Sequence, residues 1–194
     1  EFKDGAERIG HPIILEVRFD DGETNVTKQL ERIKKLSPDA VLIWGNAPES
    51  ALILNQMREM DMKQPVFASD RIVSPDFIRI AGKNAEDIIT TCQYNPDADI
   101  PELKAFQQNY KKRFNQEPDV FAAHAYDGIN ITIKAIQKAG LNRALIRDLL
   151  TDMKTFQGYQ GITGKIVFDA SWNDIGDIWY TEVINGKFIF FPIA

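Results

Sequence analysis

Cysteine and histidine are scarce in this chain of 194 residues, which has one Cys and two His. A lone cysteine excludes an intrachain disulfide framework, a CxxC redox pair and a cysteine-rich zinc site. His11 and His124 are isolated from each other and from any triad context, so no metal site is expected. Cys92 lies in the apolar run Ile88-Ile89-Thr90-Thr91-Cys92, where a small buried residue is expected. No apolar run approaches the ~18 residues needed to cross a bilayer, and nothing resembling a signal peptide opens the chain. The start, Glu1-Phe2-Lys3-Asp4, has no initiator methionine and reads like the inside of a helix, so the chain is expected to be a fragment from which upstream sequence has been removed. An excess of basic charge is also lacking: 28 acidic residues outnumber 23 basic ones, and without a basic stripe no nucleic-acid partner is expected. Neither GxGxxG nor GxxxxGK[ST] occurs, which removes the main support for nucleotide binding, and no cofactor is expected.

With 44% hydrophobic and 26% charged residues, the chain can still build a real core. Through the first hundred residues, apolar runs of strand length alternate with helical periodicity, which predicts βα units and a doubly wound parallel sheet. The predicted strands are Ile13 to Phe19, Ala40 to Trp44, Pro65 to Ala68 and Ile88 to Tyr94. Between them, Val26, Leu30, Ile33 and Ser37 follow one helical face, as do Ile53, Met57 and Met60. Further on, Leu103, Phe106, Tyr110 and Phe114 mark one amphipathic helix, and Tyr126, Ile129, Ile133 and Ile136 mark another that Gly140 stops. Asn115-Gln116-Glu117-Pro118-Asp119 breaks the chain between them. A third helix is predicted from Arg143 to about Lys154, followed by strands at Gly164 to Phe168, Asp177 to Ile184 and Lys187 to Phe191. Asn185-Gly186 reads as a two-residue hairpin turn. Gly158, Gly161 and Gly164 read as loop glycines ahead of a strand.

Three places offer chemistry. Asp20-Asp21 follows the first predicted strand, where some α/β enzymes place magnesium ligands, but Gly22-Glu23-Thr24-Asn25 makes a surface turn with Thr24 or Asn25 as a helix cap the stronger reading. The other two are the loops after the second and third strands, Trp44-Gly45-Asn46-Ala47-Pro48-Glu49 and Ala68-Ser69-Asp70-Arg71. In open α/β sheets ligands bind outside the carboxyl ends of strands, so both loops belong on the binding edge. Pro48 and Glu49 suit the first turn of a helix, which favours a cap for Glu49, whereas Asp70 is open to either role.

The run Thr24-Asn25-Val26-Thr27-Lys28-Gln29-Leu30-Glu31-Arg32-Ile33-Lys34, followed by Ser37-Pro38-Asp39-Ala40-Val41, resembles the second lobe of the Leu/Ile/Val-binding protein family, the type 1 periplasmic solute-binding proteins. The likeness continues through Lys63-Gln64-Pro65-Val66, Ile80-Ala81-Gly82, Ala85-Glu86-Asp87, Phe106 to Phe114, Ala125-Tyr126-Asp127-Gly128 and Gly161 to Asp169, and so covers nearly the whole chain.

The resemblance implies two doubly wound lobes joined by three crossovers, with a small solute enclosed between them, by family default a branched-chain amino acid, with other amino acids, amides and aromatic acids as alternatives. Residues 1–120 would be most of the second lobe, 121–160 helices returning to the first lobe, and 161–194 strands crossing the hinge. The first lobe's N-terminal half, whose loops hold the ligand carboxylate, would be absent. So would one central strand, which belongs between Ile13 to Phe19 and Ala40 to Trp44. The family's amino-acid binders place a carboxylate where Asp70 stands, to receive the ligand ammonium group. They place an aromatic residue where this sequence departs to Asn46. The resemblance thus implies ligand contacts from Gly45, Asn46, Ala47, Ser69, Asp70 and Arg71, with Phe121 either lining the cleft or entering the core. It also implies a periplasmic or extracellular location, with any membrane anchor in the absent N-terminal part, and an ABC transporter permease as partner. A ligand-sensing receptor or regulatory module of the same fold is the alternative, and a magnesium-dependent enzyme using Asp20 and Asp21 is the third reading.

Overall fold

The computed structural model describes residues 2–151, 158–169 and 171–193. In chain order the elements are α1 (Phe2–Arg8), α2 (Thr27–Leu36), β1 (Val41–Ile43), α3 (Ala47–Glu59), β2 (Val66–Ala68), a 3-10 turn (Asp70–Ile72), α4 (Pro75–Ala81), a second 3-10 turn (Gly82–Ala85) and β3 (Ile89–Cys92). There follow α5 (Pro101–Phe114), α6 (Val120–Ala139), α7 (Arg143–Thr151), β4 (Tyr159–Gly161), β5 (Gly164–Ile166), β6 (Trp179–Ile184) and β7 (Lys187–Pro192). The chain divides into two compact units, residues 1–90 with 182–189 and residues 91–181 with 190–194.

The sheet has the order β1-β2-β3-β6-β7, and the first unit holds β1, β2 and the parts of β3, β6 and β7 within residues 89–90 and 182–189. Strand β1 runs parallel to β2, with Val41 opposite Val66 and Ile43 opposite Ala68, and β2 runs parallel to β3 through Phe67 and Ile89. Val41, Ile43, Val66 and Ala68 are buried, and they pack with Leu30 of α2, Leu54 and Met57 of α3, and Phe77 of α4 into one cluster. The strand runs and the helical faces single out all of these except Leu54 and Phe77, and fully burying each large side chain stabilises the unit by roughly 1.5–3 kcal/mol. Ser74 caps α4 by accepting from the Phe77 N–H. The hairpin turn forms as the sequence predicts, with Asn185 at φ 53° and Gly186 at φ 70°. The Glu86 carboxylate secures it by accepting from both of their N–H groups at 2.7 and 3.1 Å.

Two features of this unit correct the sequence reading. Ile13 to Phe19 is not a strand: no residue from 11 to 20 joins a ladder, although Leu15, Val17 and Phe19 are half-buried while Ile14, Glu16 and Arg18 are exposed. The alternation of an extended chain is present, but a strand also needs a neighbour with which to exchange hydrogen bonds. Among the described residues β1 pairs with β2 alone and stands at the sheet edge. The cap of α2 is the second correction: the N-cap residue is Val26, and Asn25 Oδ1 instead accepts from the Thr27 N–H in a local turn.

The second unit holds α5, α6, α7 and an antiparallel hairpin of β4 and β5, in which Tyr159 faces Ile166. Gly164 opens β5 where the sequence predicts a strand to begin, whereas Gly161 closes a strand, β4, that the sequence reads as loop. Along α5 most of the predicted stripe forms: Leu103 is buried, and Phe106 packs tilted against Tyr110 and Tyr126 with ring centroids 5.7 and 4.8 Å apart, while Phe114 at its end is exposed. Helix α6 turns the other way from the reading. Its buried stripe is Val120, Ala123, Asp127, Ile131 and Ala135, while Tyr126 and Ile129 of the predicted stripe are 45% and 62% exposed. This helix is apolar on more than one face, so periodicity alone does not choose which face finds a partner. The predicted end of the third helix, near Lys154, lies outside the described residues.

The link between α6 and the hairpin is the buried Asp127 carboxylate. It accepts from the Ile162 N–H at 3.0 Å, the Thr163 N–H at 2.9 Å and the Thr163 hydroxyl at 2.7 Å. Gly161 has to be glycine, because a Cβ there would stand 2.5 Å from Asp127 Cγ and 2.6 Å from Oδ1. Cys92 is buried, as its apolar run implies, and its Sγ accepts from the Tyr94 N–H at 3.4 Å.

Candidate functional site

The first unit brings the two sequence-nominated loops together at the carboxyl ends of β1 and β2. Parallel pairing fixes this, since it places both strand ends on the same edge. Three hydrogen bonds then join the loops. The Ser69 N–H donates to the Ile43 carbonyl at 3.1 Å, extending the ladder past the strand ends. The buried Ser69 hydroxyl donates to the Gly45 carbonyl at 3.0 Å. Arg71 Nη1 donates to Asn46 Oδ1 at 3.1 Å.

Six of the seven nominated residues thus form one lip, and they divide by burial. Ser69 and Ala47 are buried and build it, whereas Asn46, Asp70 and Arg71 present exposed side chains. Gly45 is the tight point: a Cβ there would lie 2.8 Å from Cζ of the Phe19 ring and 3.2 Å from Ser50 Oγ. A side chain at this position would have to displace the Phe19 ring. Phe121, the seventh, stands in the second unit on the first turn of α6 and is 58% exposed, so it does not enter the core.

The start of α3 supplies the lip's remaining features. Asn46 occupies the N-cap position, yet its side chain makes no capping hydrogen bond and is turned to Arg71 instead. Pro48 stands in the first turn, where its missing N–H costs nothing. Glu49 follows, and its Oε2 is buried without a partner among the described residues, as is the Ser50 hydroxyl. A buried orphan oxygen is costly, so the plain cap suggested for Glu49 does not account for it. Nothing in the sequence pattern distinguishes this glutamate from an ordinary first-turn acid.

Asp20 and Asp21 are exposed in a turn closed by bonds between Asp20 and Glu23. Among the described residues no group of three or more His, Cys, Asp or Glu gathers as a metal site. No described helix is long and apolar enough to cross a membrane. A separate cavity of about 160 Å³ lies within the second unit, lined by Asn95, Ile100, Ile162, Thr163, Lys165 and Trp179 among others, and no motif in the sequence points to it.

Residues 1–186 match the family model described as periplasmic binding protein. A Leu/Ile/Val-binding protein homolog from Brucella abortus is 28% identical over 88% of this chain and 45% of its own length. The chain therefore spans about half the length of the curated relatives it matches. Among solved structures, the leucine binding protein of Thermotoga maritima superposes with a TM-score of 0.84 at 29% identity, over 97% of this chain and 53% of the other. The branched-chain amino acid transporter substrate binding protein of Streptococcus pneumoniae, solved with isoleucine, gives 0.78 at 25% identity over 98% and 55%.

Proposed function

Because the chain belongs to the periplasmic binding protein family, we propose that it is about half of an extracytoplasmic solute-binding component of an ABC importer. The complete protein captures an amino acid between two lobes, without turnover, and delivers it to a membrane permease. Residues 1–120 supply most of the second lobe, 121–160 return to the first, and 161–194 pass through the hinge. A periplasmic location follows from this role. The observation that carries the reading is the lip itself, where two loops on the carboxyl edge of a parallel sheet are joined by Ser69 and Arg71 and present Asp70 to solvent.

In this role Asp70 receives the ligand ammonium group, and loops from the first lobe's N-terminal half hold the ligand carboxylate. An ammonium group enclosed in a closing cleft requires an anionic partner, because an unpaired buried charge is strongly unfavourable. Closure needs contacts to both lobes, since a ligand shifts a conformational equilibrium only by its differential affinity for the two states.

Calorimetry on the full-length protein with L-leucine, L-isoleucine and L-glutamine tests this. Asp70→Asn should weaken the amino acid that binds by at least about tenfold, the scale of one charge-assisted hydrogen bond of about 1.5–3 kcal/mol. An unchanged affinity together with a lowered melting temperature would make Asp70 a structural residue. Absence of binding by any amino acid would remove the reading.

A further inference from the structure

Arg71 is adjacent to Asp70 in the chain, yet its guanidinium reaches away from that carboxylate to the side-chain amide of Asn46 on the other loop. Other exposed arginines behave differently: Arg79 pairs with Asp76, and Arg147 with its neighbour Asp148. A guanidinium has five N–H donors, and the bond to Asn46 uses one of them. Asn46 is committed in turn, because it gives up capping α3 and so leaves the positive end of that helix without a side-chain cap. The lip therefore offers guanidinium donors, oriented by Asn46, where an apolar wall would suit an aliphatic side chain.

We infer that Arg71, held across the lip by Asn46, selects amino acids whose side chain ends in a carboxylate or carboxamide and binds that terminal oxygen. The inference rests on the amino-acid reading above. A guanidinium recognises such an oxygen through directed N–H donors, and gives a methyl or thioether group nothing equivalent. The remaining charges at the lip narrow the class further. Asp70 and Glu49 outnumber Arg71, so a solute with two carboxylates and no ammonium group meets net repulsion. The favoured solute brings one ammonium group for the acidic side of the lip and one oxygen for Arg71. L-glutamate and L-glutamine both meet this description.

The test is calorimetry on the full-length protein with L-glutamate, L-glutamine, L-methionine, L-leucine and glutarate. Methionine matches the chain length of the first two without a terminal oxygen, and glutarate keeps both carboxylates but has no amine. The tighter of glutamate and glutamine should bind at least about tenfold better than methionine, with glutarate weaker than either. Arg71→Met should collapse the ratio to within about threefold, and Arg71→Lys should restore part of it. The ratio cancels any general disturbance of the loop. Leucine or methionine binding as tightly as both polar amino acids would overturn the role of Arg71 while leaving the amino-acid reading in place. So would a ratio unchanged in Arg71→Met. If none of the amino acids binds, both readings fall.

Discussion

Replacing Asp127 by alanine in the full-length protein should destabilise the unit that contains α6 by about 2–4 kcal/mol. The carboxylate is buried and accepts three hydrogen bonds from two consecutive residues of the β4–β5 turn. Its removal leaves the buried Ile162 N–H without a partner at about 1–3 kcal/mol, and loses two further charge-assisted bonds to Thr163, whose half-buried groups recover part of that loss through water. Relief of the carboxylate's own desolvation offsets some of the total. Against a typical stability of about 5–15 kcal/mol this is a large fraction. Hydrogen exchange at Ile162 and Thr163 provides a local readout that does not require two-state unfolding of the whole protein, and both amides should lose most of their protection. A double-mutant cycle with Gly161→Ala sharpens the reasoning. In the parent the new Cβ collides with the carboxylate at 2.5–2.6 Å, whereas in Asp127→Ala it enters vacated space. The two substitutions should therefore couple by at least about 1 kcal/mol. Additivity within about 0.5 kcal/mol, or full protection of the two amides in Asp127→Ala, would refute the placement of this carboxylate.

Two further outcomes follow from the first unit. Gly45→Ala should lower stability by about 1–3 kcal/mol through its 2.8 Å approach to the Phe19 ring, and Phe19→Leu should recover part of the loss in denaturant midpoints. An equal loss in both backgrounds would place the strain elsewhere. The proposed second-lobe strand beside β1 predicts that amides of residues 13–19 exchange rapidly in the isolated chain and slowly in the full-length protein; equal rates would mean that no strand enters there.

The fold class and the family were legible in the sequence because both rest on order. Strand-length apolar runs, the helical faces through Leu30 and Met57, and the Asn185-Gly186 turn are local signals, each tied to a backbone period or a φ preference, and they survive in a partial chain. The two loops of the lip were legible for the same reason, since strand ends in a parallel sheet share an edge.

Features that depend on a partner were settled only by the tertiary structure. Leu15, Val17 and Phe19 keep the alternation of a strand, but a ladder requires a neighbour, and none is found among the described residues. Helix α6 carries apolar residues on two faces, and packing, not periodicity, buries Ala123 and Ile131 while leaving Ile129 exposed. Asp127 and Gly161 stand far apart in the sequence, and only their contact explains why one must be acidic and the other without a side chain. The bond from Arg71 to Asn46 is of the same kind. Sequence named both residues as members of two loops, but which side chain the guanidinium would choose depended on distances that only the folded sheet sets.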